Sequence, residues 1–328
     1  MASPGQSNLF NAFTELVSTT YRNHSKQVAD NVSRHNALFR RLTEKGRVRI
    51  EDGGLSIVQP LDYANNSTYQ RYSGYDVLNV NAVDVLTAAE YPWRQIAVNV
   101  AASGFEMRTN GGPQRIINFV KTKITNAQRS LANGMSLDLY SDGTAANQIN
   151  GLQALVSDAG TGTVGGINSS TWAFWQNQVQ SAAAPLQGGG AITPSATTIE
   201  SLMLPLWIKL TRGNDMPDMI VMSDDYFSFF EQSQTSLKRY APEDDGQGGM
   251  IRMKYKTADV FFDSSGGIPG SHAYFLNTDY LELVAHRDAN MTMMDELRSV
   301  NQDAVVIPIL YQGNLTCSAR FLQGVMKA

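Results

Sequence analysis

The chain has 328 residues, 42% of them hydrophobic and 17% charged, which is enough for one large or two medium domains with a substantial core. No stretch reaches the ~20 apolar residues of a membrane span, and the first twenty residues lack a basic start followed by an apolar run, so neither membrane insertion nor export is expected. Cys317 is the single cysteine, which excludes an intrachain disulfide and suits synthesis in a reducing cytoplasm. The net charge of -4 argues against a dedicated nucleic-acid binder. The charge is uneven, however. Through residue 50 there are eight cations (Arg22, Lys26, Arg34, Arg40, Arg41, Lys45, Arg47, Arg49) against three acids (Glu15, Asp30, Glu44), so a basic leading segment joins an acidic body. Such a segment is either a solvated helical surface or an arm that docks on acidic neighbouring subunits or brushes DNA.

Residues 8 to 43 carry apolar positions at helical spacing (Leu9, Phe13, Leu16, Val28, Val32, Phe39, Leu42), too sparse to make a core alone, and the pattern stops at Lys45-Gly46. The alternating run Arg47 to Glu51, the turn signal Asp52-Gly53-Gly54 and the run Leu55 to Val58 predict a β-hairpin. A polar, tyrosine-rich stretch follows with Tyr63, Tyr69, Tyr72 and Tyr75, broken by Asn65-Asn66-Ser67 and Ser73-Gly74, and the whole region is expected to project from the body and find a partner surface. A strand is predicted over Trp93 to Val100. Gly111-Gly112-Pro113 then opens a long amphipathic helix to about residue 141, with Ile116, Ile117, Val120, Ile124, Ala127, Leu131, Met135 and Leu139 on one face and Arg115, Lys123 and Arg129 on the other.

From Gly151 to about Gly270 the pattern is mixed and predicts an α+β domain. Trp172, Trp175 and Val179 suggest a short helix, and Ile199, Met203, Leu206 and Leu210 a longer one. Met219 to Met222 reads as a strand, Ser223 as the cap of a helix with Tyr226, Phe227 and Phe230, and Met250 to Lys256 and Val260 to Asp263 as strands. Further strands are expected at Tyr274 to Leu276, Leu281 to Ala285 and Val305 to Tyr311, with Leu315 to Val325 closing the chain.

Motifs of catalysis are not found. His24, His35, His272 and His286 are scattered, and with one cysteine they supply neither zinc-ligand spacing nor a nucleophile pair. Gly188-Gly189-Gly190 and Gly246-Gln247-Gly248-Gly249 lack the flanking strand and helix of a phosphate loop and read as flexible loops. Asp224-Asp225 suits a helix start and Glu243-Asp244-Asp245 a polar loop better than a cation site, and the pairs Trp172/Trp175 and Phe229/Phe230 suit a core. No cofactor, metal or catalytic residue is expected.

The segments IVQPLDYANNSTYQRYSGYDVLNV (57 to 80), GGPQRIINFVKTKI (111 to 124), LANGMSLDLYSDGT (131 to 144), MPDMIVMSDDYFSFFE (216 to 231) and ILYQGNLTCSARFLQGVM (309 to 326), in this order and spacing, resemble tailed-bacteriophage major capsid proteins of the Hong Kong 97 type. The resemblance spans nearly the whole chain. It implies an α+β fold with an N-terminal arm over 1–45, an extended loop over 46–90, and a peripheral domain over 91–149 and about 281–313 with a spine helix at 113–141. The axial domain would take 150–280 and about 314–328. It further implies a non-enzymatic subunit, made in the bacterial host cytoplasm, that self-assembles as hexamers and pentamers into an icosahedral virion shell around double-stranded DNA. The implied partners are a separate scaffolding protein, since the arm pattern begins at about Leu9, a portal protein, a possible cement protein, and packaged DNA in non-specific contact. Arg40, Arg41, Arg47, Arg49, Tyr63, Tyr69, Tyr72 and Tyr75 are the candidate intersubunit contacts. The lysine-to-asparagine cross-link of the fold's namesake is not expected, because no lysine lies between Lys45 and Lys121. The alternatives are an encapsulin-like nanocompartment, another phage structural protein such as a tail or adhesin subunit, and an α+β enzyme.

Overall fold

The computed structural model describes residues 36–109, 113–186, 192–234, 252–263, 267–295, 297–298 and 302–328. In chain order these hold helix α1 (Ala37–Glu44), strands β1 (Val48–Glu51), β2 (Ser56–Asp62), β3 (Leu86–Pro92) and β4 (Arg94–Ser103), and helices α2 (Gly104–Thr109), α3 (Pro113–Asp138) and α4 (Leu152–Leu155). Next come β5 (Thr163–Val164), β6 (Ile167–Asn168), a 3-10 turn (Ala173–Trp175), β7 (Gln178–Gln180), α5 (Ile199–Leu210), β8 (Met219–Met222) and α6 (Asp224–Ser233). The last part holds β9 (Arg252–Tyr255), β10 (Ala258–Phe262), β11 (His272–Leu276), β12 (Leu281–Met293), β13 (Leu297–Arg298), β14 (Ala304–Cys317) and β15 (Gly324–Lys327). This is an α+β architecture. The expected helix before residue 36 lies outside the described residues, as do the two glycine runs and Glu243-Asp244-Asp245.

Two sheets organise the chain. In the first, the long strand β14 has antiparallel β4 on one side and β12 and β13 on the other, and β1 adds in parallel to β12. The second has the order β7-β15-β11-β8-β10-β9. Its central strand β8 is buried on both faces, which is why it reads as the unbroken run Met-Ile-Val-Met. Met219 and Val221 face the core shared with the first sheet, α1 and α3, while Ile220 and Met222 face a second core under α5 and α6. On α3 the predicted stripe is buried at Ile124, Ala127, Leu131 and Met135 and continues to Leu139; the side chains of Ile116, Ile117 and Val120 lie outside the description. The helix ends at Asp138, a few residues before the expected 141. Leu152 N–H takes the carbonyl of Leu139 at 2.9 Å, and the chain at Gly151 passes so close that a Cβ there would stand 2.2 Å from Ser141 N.

After the long passage from β4 to β7 the chain crosses between the sheets twice more, from β11 to β12 and from β14 to β15, and these two crossings lie side by side. Gln323 binds the backbone of Asn277 reciprocally: Nε2 donates to the carbonyl and Oε1 accepts from the N–H, both at 3.0 Å. Beside it Arg320, wholly buried, donates from Nε to Leu155 O at 2.7 Å, from Nη1 to Trp175 O at 2.9 Å and from Nη2 to Asn177 Oδ1 at 2.9 Å. One guanidinium fork thus fixes two otherwise separate segments, at Leu155 and at Trp175 to Asn177, against the crossing.

Three local expectations differ. β1 and β2 do not pair with each other, so the predicted hairpin over 47–58 is corrected: Gly53 and Gly54, at φ +138° and +126°, swing the chain from one sheet to another, and β2 pairs with β3. Val179 lies in β7 rather than a helix, because that strand is held in parallel by β15. Ser223 stands at the N-cap of α6, but its hydroxyl bonds the Asp225 carboxylate and the carbonyl of His272 instead of a helix N–H. Trp175 and Phe230 are core residues as expected, whereas Trp172 is 48% exposed.

Candidate assembly surface

The hairpin of β2 and β3 lies on the body by its inner face. Ile57, Leu61, Ala89 and Tyr91 are buried, Gln59 Nε2 reaches Glu282 and Thr316 at 3.0 Å each, and Tyr91 Oη donates to Cys317 O at 2.9 Å. Burial drives the Tyr91 hydroxyl far above its ordinary pKa, so it stays a neutral donor. The projecting part is therefore only the loop beyond the strands, closed at its base by Tyr63 N–H on Val85 O at 3.0 Å. Tyr63 itself turns back to the body, packing edge-on against Trp172 and tilted against Phe174 with ring centroids 5.8 Å apart in each pair. This explains the half-exposed Trp172: it props the loop's base.

Beyond Tyr63 the loop makes no hydrogen bond or ion pair to the rest of the described residues. Its hydrogen bonds are local, such as Ser73 N–H on Asp76 Oδ2 at 2.8 Å and Gln70 Nε2 on Val77 O at 3.1 Å. Tyr69 and Tyr72 are 81% and 66% exposed, and Tyr75 is wholly so. The same loop carries Val77, Leu78 and Val80 to solvent, a second apolar group that reasoning from the tyrosines alone passed over. The signal was there in Val-Leu-Asn-Val, an apolar run with no strand partner. A contiguous exposed apolar surface of this kind marks a contact site.

The candidate arginines occupy a different place. Arg41 meets Asp218 at 3.1 Å and Asp259 at 3.3 Å, and Lys45 bridges Asp218 and Asp279, both at 3.0 Å. Arg47 lies 3.4 Å from Asp279 and 3.7 Å from Glu282; Arg49 lies 2.8 Å from Glu51 and 3.5 Å from Glu282. Arg40 pairs with Glu44 one turn along α1 at 2.7 Å. The acidic partner of Arg41, Lys45, Arg47 and Arg49 is thus the chain's own body. Burial opposes ionisation of Asp218, but hydrogen bonds from Thr278 Oγ1 at 2.6 Å and Thr278 N at 2.7 Å, with Lys45 beside it, hold its carboxyl below the usual range. Asn36 anchors the start of α1, its Oδ1 accepting from Phe39 N at 2.8 Å and its Nδ2 donating to Ser136 Oγ at 3.0 Å. These contacts tie α1 and β1 to the body just ahead of the hairpin.

No group of three or more histidine, cysteine or acidic side chains gathers as a metal site among the described residues. His272 lies against Asp158, His286 edge-on to Trp93, and Asp225 against Ser223 and Ser271. Among the described residues no helix is long and apolar enough to cross a membrane.

No protein-family model and no curated protein matches the sequence. Solved structures do match the fold. The cyanophage A-1(L) capsid subunit superposes with a TM-score of 0.62 at 18% identity, covering 86% of this chain and 90% of its own. The capsid of the native GTA particle gives 0.57 at 12% identity, covering 86% and 88%. A virus-like particle from Pyrococcus furiosus gives 0.50 at 9% identity, covering 92% and 96%. The fold is that of tailed-phage capsid proteins.

Proposed function

We infer that this chain is a shell subunit, the major capsid protein of a tailed phage, whose copies close as hexamers and pentamers into an icosahedral virion shell around double-stranded DNA. The observation that carries the reading is the loop between Tyr63 and Val85. A two-sheet body of the capsid fold holds the loop's base rigidly and leaves its tyrosines and valines bare, as suits a surface completed by a neighbouring copy. Tyr69, Tyr72 and Tyr75 are the contact residues of this reading, and Arg41, Arg47 and Arg49 act by aiming the hairpin. A separate scaffolding protein, a portal protein and a possible cement protein belong to the same proposal, with synthesis in the bacterial host cytoplasm. The Pyrococcus particle favours a second reading, a nanocompartment of the encapsulin kind, which would form uniform shells without nucleic acid.

The test replaces residues 65–83 by a two-residue Asn-Gly turn. Shortening the loop this much lowers its closure entropy, so the free subunit should keep its circular dichroism and gain about 1 kcal/mol. Electron microscopy should show shells from the parent chain supplied with its scaffolding protein, and none from the variant under the same conditions. Normal shells from the variant would remove the loop from the contact; filaments or small rings from the parent under every condition would overturn the shell.

A further inference from the structure

We propose that the exposed face of α3 is a docking surface for the phosphate backbone of double-stranded DNA. The inference gives the proposed shell's content a place on the subunit, and rests on that reading for its biological setting.

The charge is the first observation. In a chain of net charge -4, the stretch from Met107 to Leu137 contains no aspartate or glutamate and five cations: Arg108, Arg115, Lys121, Lys123 and Arg129. Helix stability does not account for them. The N-terminal turn of a helix favours acids, yet α3 has none there and carries Arg115 at its third position.

The second observation is pairing. The cations of α1 and β1 each meet a carboxylate, but among the described side chains of α3 Lys123 alone does, reaching Glu106 of α2 at 3.5 Å. Lys121 and Arg129 are exposed with no acidic partner among the described residues. Between them and on to residue 133 the exposed positions are Thr122, Asn126, Ser130 and Asn133, neutral groups that donate to phosphate oxygens, and only Leu137 near the helix end adds an exposed apolar side chain among the described ones. By helical periodicity position 115 continues the line through 122, 126, 129 and 133, a strip about 27 Å long at about 1.5 Å per residue. No aromatic side chain is exposed along residues 121–133, so the strip suits a duplex backbone better than stacked single-stranded bases. The alternative occupant, an acidic patch of a second copy, is less suited: the cluster Asp218, Asp259, Asp279 and Glu282 is already matched by Arg41, Lys45, Arg47 and Arg49.

The test uses the purified full chain and a random-sequence DNA duplex, with affinity followed by fluorescence anisotropy over a range of salt. The triple variant Arg115→Gln, Lys121→Gln, Arg129→Gln should bind more weakly, and its slope of log affinity against log salt should fall by about 0.9 for each phosphate that is no longer neutralised. A second triple that removes the same charge elsewhere, Arg71→Gln, Lys209→Gln, Arg287→Gln, should leave the slope near that of the parent. The α3 variant should still form shells where the parent does. Equal effects of the two triples, or no effect, would overturn the proposal. So would an α3 variant with native circular dichroism that fails to assemble, since the strip would then be a contact between copies. If the parent itself never assembles, the shell reading falls, and the DNA titration still decides whether the strip binds DNA.

Discussion

Replacing Arg320 by methionine should destabilise the chain by about 3–5 kcal/mol, the loss of three hydrogen bonds to a charged group less the desolvation cost of burying that charge. The magnitude follows from what is left behind. Leu155 O, Trp175 O and Asn177 Oδ1 each accept one hydrogen bond from the guanidinium at 2.7–2.9 Å, and hydrogen bonds to a charged group contribute roughly 1.5–3 kcal/mol apiece. Methionine fills the volume but donates nothing, so buried acceptors lose their partner. Offsetting this, the buried charge is relieved of its desolvation. Burial lowers the proton affinity of the guanidinium, and the neighbouring Cys317 and Tyr91 counter it; an arginine starts so high that it remains charged. Lysine at 320 keeps the charge but cannot reach three divergent acceptors, so it should lose much of the same stability. Urea unfolding of the free subunit measures both. Asn177→Ala should cost less, about 1.5–3 kcal/mol, and its effect should shrink in the Arg320→Met background, since the two share a bond. An Arg320→Met protein within about 1 kcal/mol of the parent, or strictly additive effects of the two changes, would refute the view that this fork ties the crossing to residues 155–177.

Two further outcomes are expected. Burial pulls the His272 imidazolium down, but its hydrogen bonds to Asp158 Oδ2 at 3.0 Å and Gly270 O at 2.7 Å outweigh this and raise its pKa above the ordinary value, while the bond from His272 chiefly lowers that of Asp158. The histidine's contribution is therefore complete below the unfolded imidazole value and fades as pH rises through the folded one; that of Asp158 fades only as pH falls toward the acid range. The stability gap between the parent and His272→Gln, measured by urea unfolding, should be widest near pH 5–6 and narrow by pH 9. A gap independent of pH would rule this out. As to covalent cross-linking, the loop from 63 to 85 offers only Arg71, a poor nucleophile, and Lys45 is held by Asp218 and Asp279, so shells boiled in detergent should run as one band near 35.9 kDa. A ladder of multimers with Lys-Asn linkages in mass spectra would contradict it.

What could be read from the sequence was whatever local pattern decides. The all-apolar Met219 to Met222, the stripe from Ile124 to Leu139 and the bare tyrosines each announce their surroundings by periodicity or composition. The capping box of α2 went unread although its pattern is local: Ser103 Oγ accepts from Glu106 N and Glu106 Oε2 from Ser103 N, both at 3.1 Å, the reciprocal pattern of Ser-x-x-Glu. Pairing over distance was not legible. Asp52-Gly53-Gly54 does turn the chain, but a turn signal fixes a change of direction and not the strand that receives it, and β1 found β12 some 230 positions away. The same limit hid the fate of the basic segment. Its charge was plain, whereas the four acids that match its described end, Arg41 to Arg49, come from positions 218, 259, 279 and 282 and gather only when β8, β10 and the crossing into β12 assemble. Arg320 was the least visible, since an arginine between Ala319 and Phe321 looks like any surface cation. Its identity as a buried tie depends on three acceptors more than 140 positions upstream, and that explains why the site is set by the fold as a whole rather than by any motif.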